Sequence, residues 1–153
     1  METPMESFFR TFEQLSAESN VAGLASMYAP SFLLAGPSGS QVVRSGDLQQ
    51  AILKRKQLFE TLGCTSTSLA ALQETSLDER YSIVRTEWRW RFEQRSEAAV
   101  EFTLPSSYVI ERSPDRWQIV AYITHVDIMA ELGRRGLLAS GAEHGLQPPP
   151  VDR

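Results

Sequence analysis

His125 and Asp127 are the pair of side chains in this sequence whose chemistry stands out. They are two residues apart in a strand-like run, so both are expected on one face, with Cα atoms roughly 6.5–7 Å apart. An imidazole near a carboxylate can titrate close to neutral pH and move a proton. Such a pair at a strand end also often makes a capping or interface hydrogen bond, so catalysis and a structural role both stay open.

Few other residues could do chemistry. Cys64 is the single cysteine and has no obvious His or Asp partner nearby in sequence, so we expect a small apolar filler and no intramolecular disulfide. A metal site needs at least three convergent ligands, and His125, Asp127 and Glu101 are too few. The turn 36–39 lacks the lysine and the spacing of a phosphate-binding loop. We therefore expect no metal and no cofactor.

The charge balance argues against a nucleic-acid partner. Lys plus Arg number 15 and Asp plus Glu number 19, a net charge of −4, and a basic footprint is missing. The arginines between 85 and 95 are interleaved with glutamates, which is typical of a solvated strand face. No apolar run reaches the ~18 residues that span a membrane, and the first residues do not resemble a signal peptide. We expect a cytoplasmic protein that contacts neither nucleic acid nor membrane.

Three helices are predicted in the first part of this 153-residue chain, which fits one domain. Apolar residues from Met5 to Leu15 have helical spacing and an aromatic stripe. A short helix is predicted over 21–29, because the residue before Pro30 is pushed out of helical geometry. A long helix over 46–62 is capped by Ser45, with Arg55 on its solvent side. Its buried face is expected to contain Leu48, Ile52, Phe59 and Leu62.

Strands dominate the second part of the chain, where the hydrophobic period changes from 3.6 to 2. They are predicted over 64–74, 81–92, 99–111 and 116–128, with a bulge or bend at Pro105. Helices followed by long strands indicate an α+β fold with helices on one face of a curved antiparallel sheet. The last strand is apolar on both faces, which predicts a second subunit over the outer face.

Alternation predicts which side chains point inward. Trp88 and Trp90 share the helix-facing side of their strand. The odd-numbered residues of 117–127, including His125 and Asp127, share one face, and its apolar members mark that face as inward. We therefore expect His125 and Asp127 to open into the same cavity as the two tryptophans. The candidate ligand-binding residues are Tyr28, Trp88, Trp90 and Tyr108.

The order of elements resembles the nuclear transport factor 2-like superfamily and, within it, the SnoaL-like, polyketide cyclase-like proteins. The similarity lies in segment 21–32, in the Gly-rich turn before the third helix, and in the run from Trp117 to Asp127. It implies a cystatin-like cone, a curved antiparallel sheet wrapped around a long helix, with two further N-terminal helices and a pocket at the open end. Members commonly dimerise through the outer sheet face. We predict this domain over 1–130 and a flexible C-terminal extension over 131–153.

The resemblance leaves the activity open. Polyketide cyclase-like members use a histidine and an aspartate in the pocket as acid and base, which would correspond to His125 and Asp127. Ketosteroid isomerase-like members use an acidic base after the second helix and a tyrosine on the first, and neither is present in 31–34 or 8–12. Scytalone dehydratase-like members use paired histidines with tyrosines, whereas the second histidine here is His144 in the tail.

Two functions are therefore expected from the sequence. The first is the binding or transformation of a small apolar molecule in a cone-shaped pocket. The alternative is a non-catalytic dimeric interaction module of the same fold. Both are compatible with the predicted homodimer, and the sequence does not decide whether the protein is an enzyme.

Overall fold

The computed structural model describes residues 1–95 and 97–138. The four helices are α1 Pro4–Ala17, α2 Val21–Ser26, α3 Ser45–Thr61 and α4 Ile128–Arg134. The strands are β1 Tyr28–Gly36, β2 Gly39–Arg44, β3 Cys64–Ser76, β4 Tyr81–Phe92, β5 Val100–Arg112 and β6 Trp117–Thr124.

All six strands belong to one sheet in the order β2-β1-β6-β5-β4-β3. Neighbouring strands are antiparallel except β1 and β6, which run parallel. Side chains of α1 and α3 pack against one face of this sheet and form two apolar clusters with it. The predicted α+β class with a cystatin-like sheet and helices is confirmed.

The first cluster is built around α1. Thr3 and Glu6 form a capping box at its start, which satisfies free amides of the first turn. Met5 and Phe9 are fully buried, and the Phe9 ring lies 4.9 Å from that of Tyr108 on β5. The aromatic stripe predicted for this helix is therefore part of the core, in which Met5 and Phe9 pack against buried side chains of the sheet.

The long helix α3 packs on the sheet as predicted. Phe59 is buried in the second cluster, while Leu48, Ile52 and Leu62 are half-buried. The predicted cap is wrong, because Ser45 is the first helical residue and the cap position is held by Arg44 without a side-chain hydrogen bond.

The second helix ends earlier than predicted. It stops at Ser26 rather than Ala29, and Tyr28 already pairs with Ile119 of β6. The Arg116 guanidinium donates to the Ser26 carbonyl oxygen at 2.8 Å, which satisfies a free acceptor at this helix end. Pro30 lies within β1, in the stretch where its register with β6 is irregular. A contact with distant sequence thus ends the helix before the proline.

A β-bulge in β6 decides which side chains face the helices. Val109 pairs with Ala121, but the next residue of β5, Ile110, pairs with Ile119. Val120 is therefore an extra residue, and such an insertion reverses the alternation on the strand that carries it. A bulge or bend was predicted at Pro105, but Pro105 pairs in regular register with Glu87 of β4, so no bulge interrupts the β4–β5 ladder there.

The bulge overturns the predicted faces of the last strand. Beyond Val120, Tyr122 pairs with the inward-facing Tyr108 and stacks on it, so even-numbered residues face inward. Ile123 and His125 therefore belong to the outer face. The strand also ends at Thr124 rather than residue 128.

The folded part continues beyond residue 130. Leu132 and Leu137 are buried in the second cluster, together with Phe92 and Phe102. Residues 131–138, which the sequence analysis assigned to the C-terminal extension, thus pack on the domain. The remaining segment 139–153, with His144, lies outside the described residues. Along the described chain, no helix is both long and apolar enough to cross a membrane.

Candidate functional site

A narrow cleft opens on the helix-facing side of the sheet. It lies between the β1–β2 turn, α3, the middle of β4 to β6 and the start of α4. The empty space in the cleft is about 540 Å³ when its open mouth is included. Only about 40 Å³ of this space can be occupied by the centre of a water molecule. The lining residues are Pro37, Ser38, Arg55, Trp88, Trp90, Leu104, Pro105, Ser106, Tyr122, Thr124, Val126, Asp127 and Ile128.

Aromatic rings form the walls of the cleft. Trp88 and Trp90 share the inward face of β4, as their alternation predicts. The Trp90 ring meets Phe59 of α3 edge to face at 5.0 Å. Tyr122 is stacked on Tyr108, with ring centroids 4.9 Å apart and an interplanar angle of 9°. The walls are therefore rigid and mostly apolar, as is usual for small-molecule sites.

Arg55 is the one basic side chain among the described residues that line the cleft. Its guanidinium carbon lies 5.3 Å from the Phe59 ring centroid and 5.9 Å from that of Trp90. Arg55 and Phe59 are four residues apart, so they share a face of α3. The side chain is half-buried, which corrects its predicted place on the solvent side. It forms no ion pair with any described residue.

Trp88 forms part of the cleft wall, but its indole nitrogen is buried. The residue is 7% exposed, and its Nε1 is buried without a hydrogen-bond partner in the described part of the chain. The Tyr108 hydroxyl is near the indole, but the two do not meet in hydrogen-bond geometry. Other polar groups nearby are satisfied, because the Thr86 hydroxyl lies 2.8 Å from the Ser106 hydroxyl and 3.1 Å from the Ser106 carbonyl oxygen. The nitrogen has less than 1 Å² of exposed surface and lies near the Tyr108 hydroxyl, so it faces the core and not the open space of the cleft.

Asp127 lines the cleft and also caps α4. Its Oδ1 accepts hydrogen bonds from the backbone amides of Met129 at 3.0 Å and Ala130 at 3.2 Å. A carboxylate at this position satisfies free amides and complements the helix dipole. The capping role that the sequence left open for this residue is therefore present.

His125 does not share the cleft with Asp127. It is exposed on the outer face, where its Nε2 lies 2.7 Å from the Ser107 hydroxyl. It is not among the residues that line the cleft, so the expectation of one cavity for both residues is wrong for His125. The physical reason is the extra residue Val120, which places His125 on the opposite face. Acid–base catalysis by the pair stays a prediction, and the geometry gives it no support.

The two candidate tyrosines lie beneath the cleft rather than in its wall. The Tyr28 ring packs 4.6 Å from Phe32 and 6.3 Å from Phe12. Tyr108 is 2% exposed and supports Tyr122 from below. Burial raises the pKa of both Tyr28 and Tyr108 well above the ordinary range, so both hydroxyls stay protonated at neutral pH.

Cys64 is not placed as a reactive thiol. Burial raises the pKa of the thiol, and its sulfur lies 3.7 Å from the Ser66 carbonyl oxygen. A protonated thiol is a poor nucleophile. Within residues 1–95 and 97–138, no group of three His, Cys, Asp or Glu side chains is arranged to hold a metal ion.

Sequence reasoning identified part of this site and missed part of it. Trp88, Trp90 and Asp127 were candidates and line the cleft. Arg55 was missed, although its spacing from Phe59 is a signal that the sequence contains. Tyr122 was assigned to the wrong face, and no local signal marks the bulge at Val120.

The sequence matches a known protein-family model over most of its length. The model described as NTF2-like protein (DUF6841) matches residues 1–127. The chain belongs to this NTF2-like family. The resemblance to the nuclear transport factor 2-like superfamily is thereby confirmed, and the narrower SnoaL-like resemblance is consistent with it. A search of curated proteins found no match.

Solved structures share the fold of this NTF2-like protein at low sequence identity. Aln2 from a Streptomyces species is 10% identical with a TM-score of 0.67, and the match covers 88% of this chain and 99% of that one. An NTF2-like protein with a cystatin-like fold from Novosphingobium aromaticivorans is 12% identical, with a TM-score of 0.65 and coverages of 86% and 84%. A ketosteroid isomerase-like protein from Erwinia carotovora is 14% identical, with a TM-score of 0.60 and coverages of 78% and 91%. Such likeness establishes the fold alone.

Proposed function

We propose that this NTF2-like protein binds a small, largely apolar molecule in the cleft. The observation that carries the proposal is the cleft itself, which opens to solvent and whose walls are formed by Trp88, Trp90 and Tyr122. Apolar walls with a few polar groups are the usual composition of such sites.

The free space limits the size of the ligand. Only about 40 Å³ is open to the centre of a water molecule, and one such centre needs at least roughly 10–15 Å³. This is room for about three water molecules, so the proposed ligand is no larger than one flat ring and lies partly in the open mouth of the cleft. Binding rather than catalysis is proposed, because the cleft carboxylate is engaged as a helix cap and His125 lies outside the cleft.

Indole resonances in a two-dimensional ¹H–¹⁵N spectrum test this proposal. The chain has three tryptophans, and Trp117 packs against Phe8 without lining the cleft. One-ring fragments should shift the Trp88 and Trp90 indole signals in a saturable way and leave that of Trp117 in place. Trp88→Phe and the matched control Trp117→Phe assign the signals. Shifts of all three indoles alike, or of none, would contradict a ligand site in the cleft.

A specific observation on the outer face supports the second candidate, a dimeric interaction module. Four apolar residues, each paired with the next, cross four neighbouring strands: Leu33, Ala121, Val109 and Ile83. Leu33 and Ile83 are each 39% exposed. Contiguous apolar patches on a surface mark interaction sites. We propose that this row, defined by these four residues, is the centre of a homodimer interface.

Sedimentation at tens of micromolar protein tests the dimer. Leu33→Glu combined with Ile83→Glu should shift the protein toward monomer, because the charges would have to be buried in the interface. Leu53→Glu is the matched control, since Leu53 is 42% exposed on α3, which packs on the opposite face of the sheet. A monomeric wild-type protein at this concentration would refute the dimer without bearing on the cleft.

A further inference from the structure

The strongest unused feature of the cleft is the unpaired charge of Arg55. Its neighbour on α3, Lys56, forms an ion pair with Glu60 at 2.7 Å. Arg55, although half-buried, has no such pair with a described residue and instead lies over the rings of Phe59 and Trp90. A cation–π contact neither neutralises the charge of a guanidinium nor occupies its N–H groups. Arg55 thus brings an unneutralised cation to the cleft.

The Arg55 guanidinium calls for a ligand with an anionic acceptor, and the aromatic walls call for a flat apolar group beside that acceptor. Carboxylate oxygens match a guanidinium edge through two parallel hydrogen bonds.

The charges of the cleft favour a singly charged anion. Among the described residues, its lining contains one basic side chain, Arg55, and one acidic side chain, Asp127. A phosphate monoester carries close to two negative charges at neutral pH and would face a single cation and an aspartate. A monocarboxylate carries a single negative charge, so it meets less repulsion from Asp127, whose Oδ1 is held by amides of α4.

We propose that the cleft selects small monocarboxylic acids with one flat ring, whose carboxylate pairs with Arg55 and whose ring lies between the aromatic walls. This inference rests on the proposed small-molecule function and adds the class of ligand. A role of Arg55 in packing alone would stabilise the fold through its contacts with Phe59 and Trp90 and would leave ligand selectivity unchanged.

Matched pairs of an acid and its neutral amide test the proposal. Phenylacetate and phenylacetamide, and 2-furoate and 2-furamide, are titrated into the full chain while the Trp88 indole signal is followed. Each acid should bind about tenfold more tightly than its amide, since a charge-assisted pair exceeds a neutral one by about that factor. Added salt should reduce this preference.

Two arginine variants locate the source of the preference. Arg55→Met keeps an apolar stem on the rings and should bring the acid to the affinity of the amide, while Arg55→Lys should keep part of the preference. Arg89→Met is the control, because Arg89 is exposed on the other face of β4 and forms no ion pair among the described residues. Melting temperatures verify that each variant is folded. If Arg55→Met does not fold, Arg55→Lys and the salt dependence of wild type decide.

The outcomes separate the two proposals. Equal binding of acid and amide at Trp88, unchanged in Arg55→Met, would overturn the carboxylate inference and leave the small-molecule function standing. Failure of every probe to shift the Trp88 and Trp90 signals would overturn both. An acid preference that persists in Arg55→Met but disappears in Arg89→Met would place the anion site on the outer face and also overturn the inference.

Discussion

Phe9→Ala should be among the most destabilising single substitutions in this protein. Phe9 is fully buried on α1, and its ring lies 4.9 Å from Tyr108, 5.3 Å from Phe8 and 6.0 Å from Phe12. Tyr108 in turn supports Tyr122 in the wall of the cleft. The substitution therefore removes one of the contacts that link α1 to the candidate site; Phe12 provides others, to Trp88 and Tyr108.

The expected loss in the free energy of unfolding is about 4–5 kcal/mol. Phe→Ala in a core costs about 3–5 kcal/mol, and each aromatic pair adds about 0.5–1.5 kcal/mol beyond area burial. The upper part of the range applies, because Phe9 has three ring neighbours and no exposed side toward which the core could collapse. Domains of this kind have about 5–15 kcal/mol of stability in total, so the variant should lose about a quarter of it or more.

Equilibrium urea unfolding, followed by tryptophan fluorescence and circular dichroism, measures this loss. The midpoint should fall while the slope with denaturant stays unchanged, which would identify a change in stability rather than in compactness. Leu53→Ala is the control, since Leu53 is 42% exposed on α3 and should change stability by no more than about 0.5 kcal/mol. A cost below about 1 kcal/mol for Phe9→Ala would refute the packing of α1 described above.

Three further predictions concern the N-cap of α4, the loss of stability at acidic pH and the reactivity of the Cys64 thiol. Asp127→Ala should lower the free energy of unfolding by about 1 kcal/mol, measured in urea, because α4 loses its N-cap. Hydrogen bonds from Arg135 and Arg134 lower the pKa of the Glu131 carboxyl below its ordinary 4.5. These contacts therefore stabilise the folded protein above pH 4.5, and that stabilisation is lost as the pH falls through the pKa of the folded state. Melting temperatures between pH 6 and pH 3 should therefore drop less steeply in Glu131→Gln, and an identical slope would contradict the ion pairs. Burial raises the pKa of the Cys64 thiol, so Ellman's reagent should react with it much more slowly in the native protein than in urea; equal rates would contradict its burial.

Local pattern alone was enough to predict the elements whose side chains repeat regularly. Alternation placed Trp88 and Trp90 on the inward face of β4, because an uninterrupted strand turns successive side chains to opposite faces. The aromatic stripe of α1 was predicted as core for the same kind of reason, since helical spacing collects Met5 and Phe9 on one side. Class and order of elements follow from such periodicity, which needs no knowledge of the partner segments.

Contacts between distant segments decided the rest. The bulge at Val120 exists only in the pairing of β6 with β5, and this one residue moves His125 to the outer face and brings Tyr122 into the cleft. Arg55 looks like a solvent-side residue in its own helix and becomes a cleft residue when β4 brings Trp90 against it. Register and proximity are set by pairing energies across the sheet. The periodicity of a single segment contains no information about register or about which segments are neighbours. Several residues of the cleft could therefore be named from the sequence, but which of them lie together was decided by the tertiary structure.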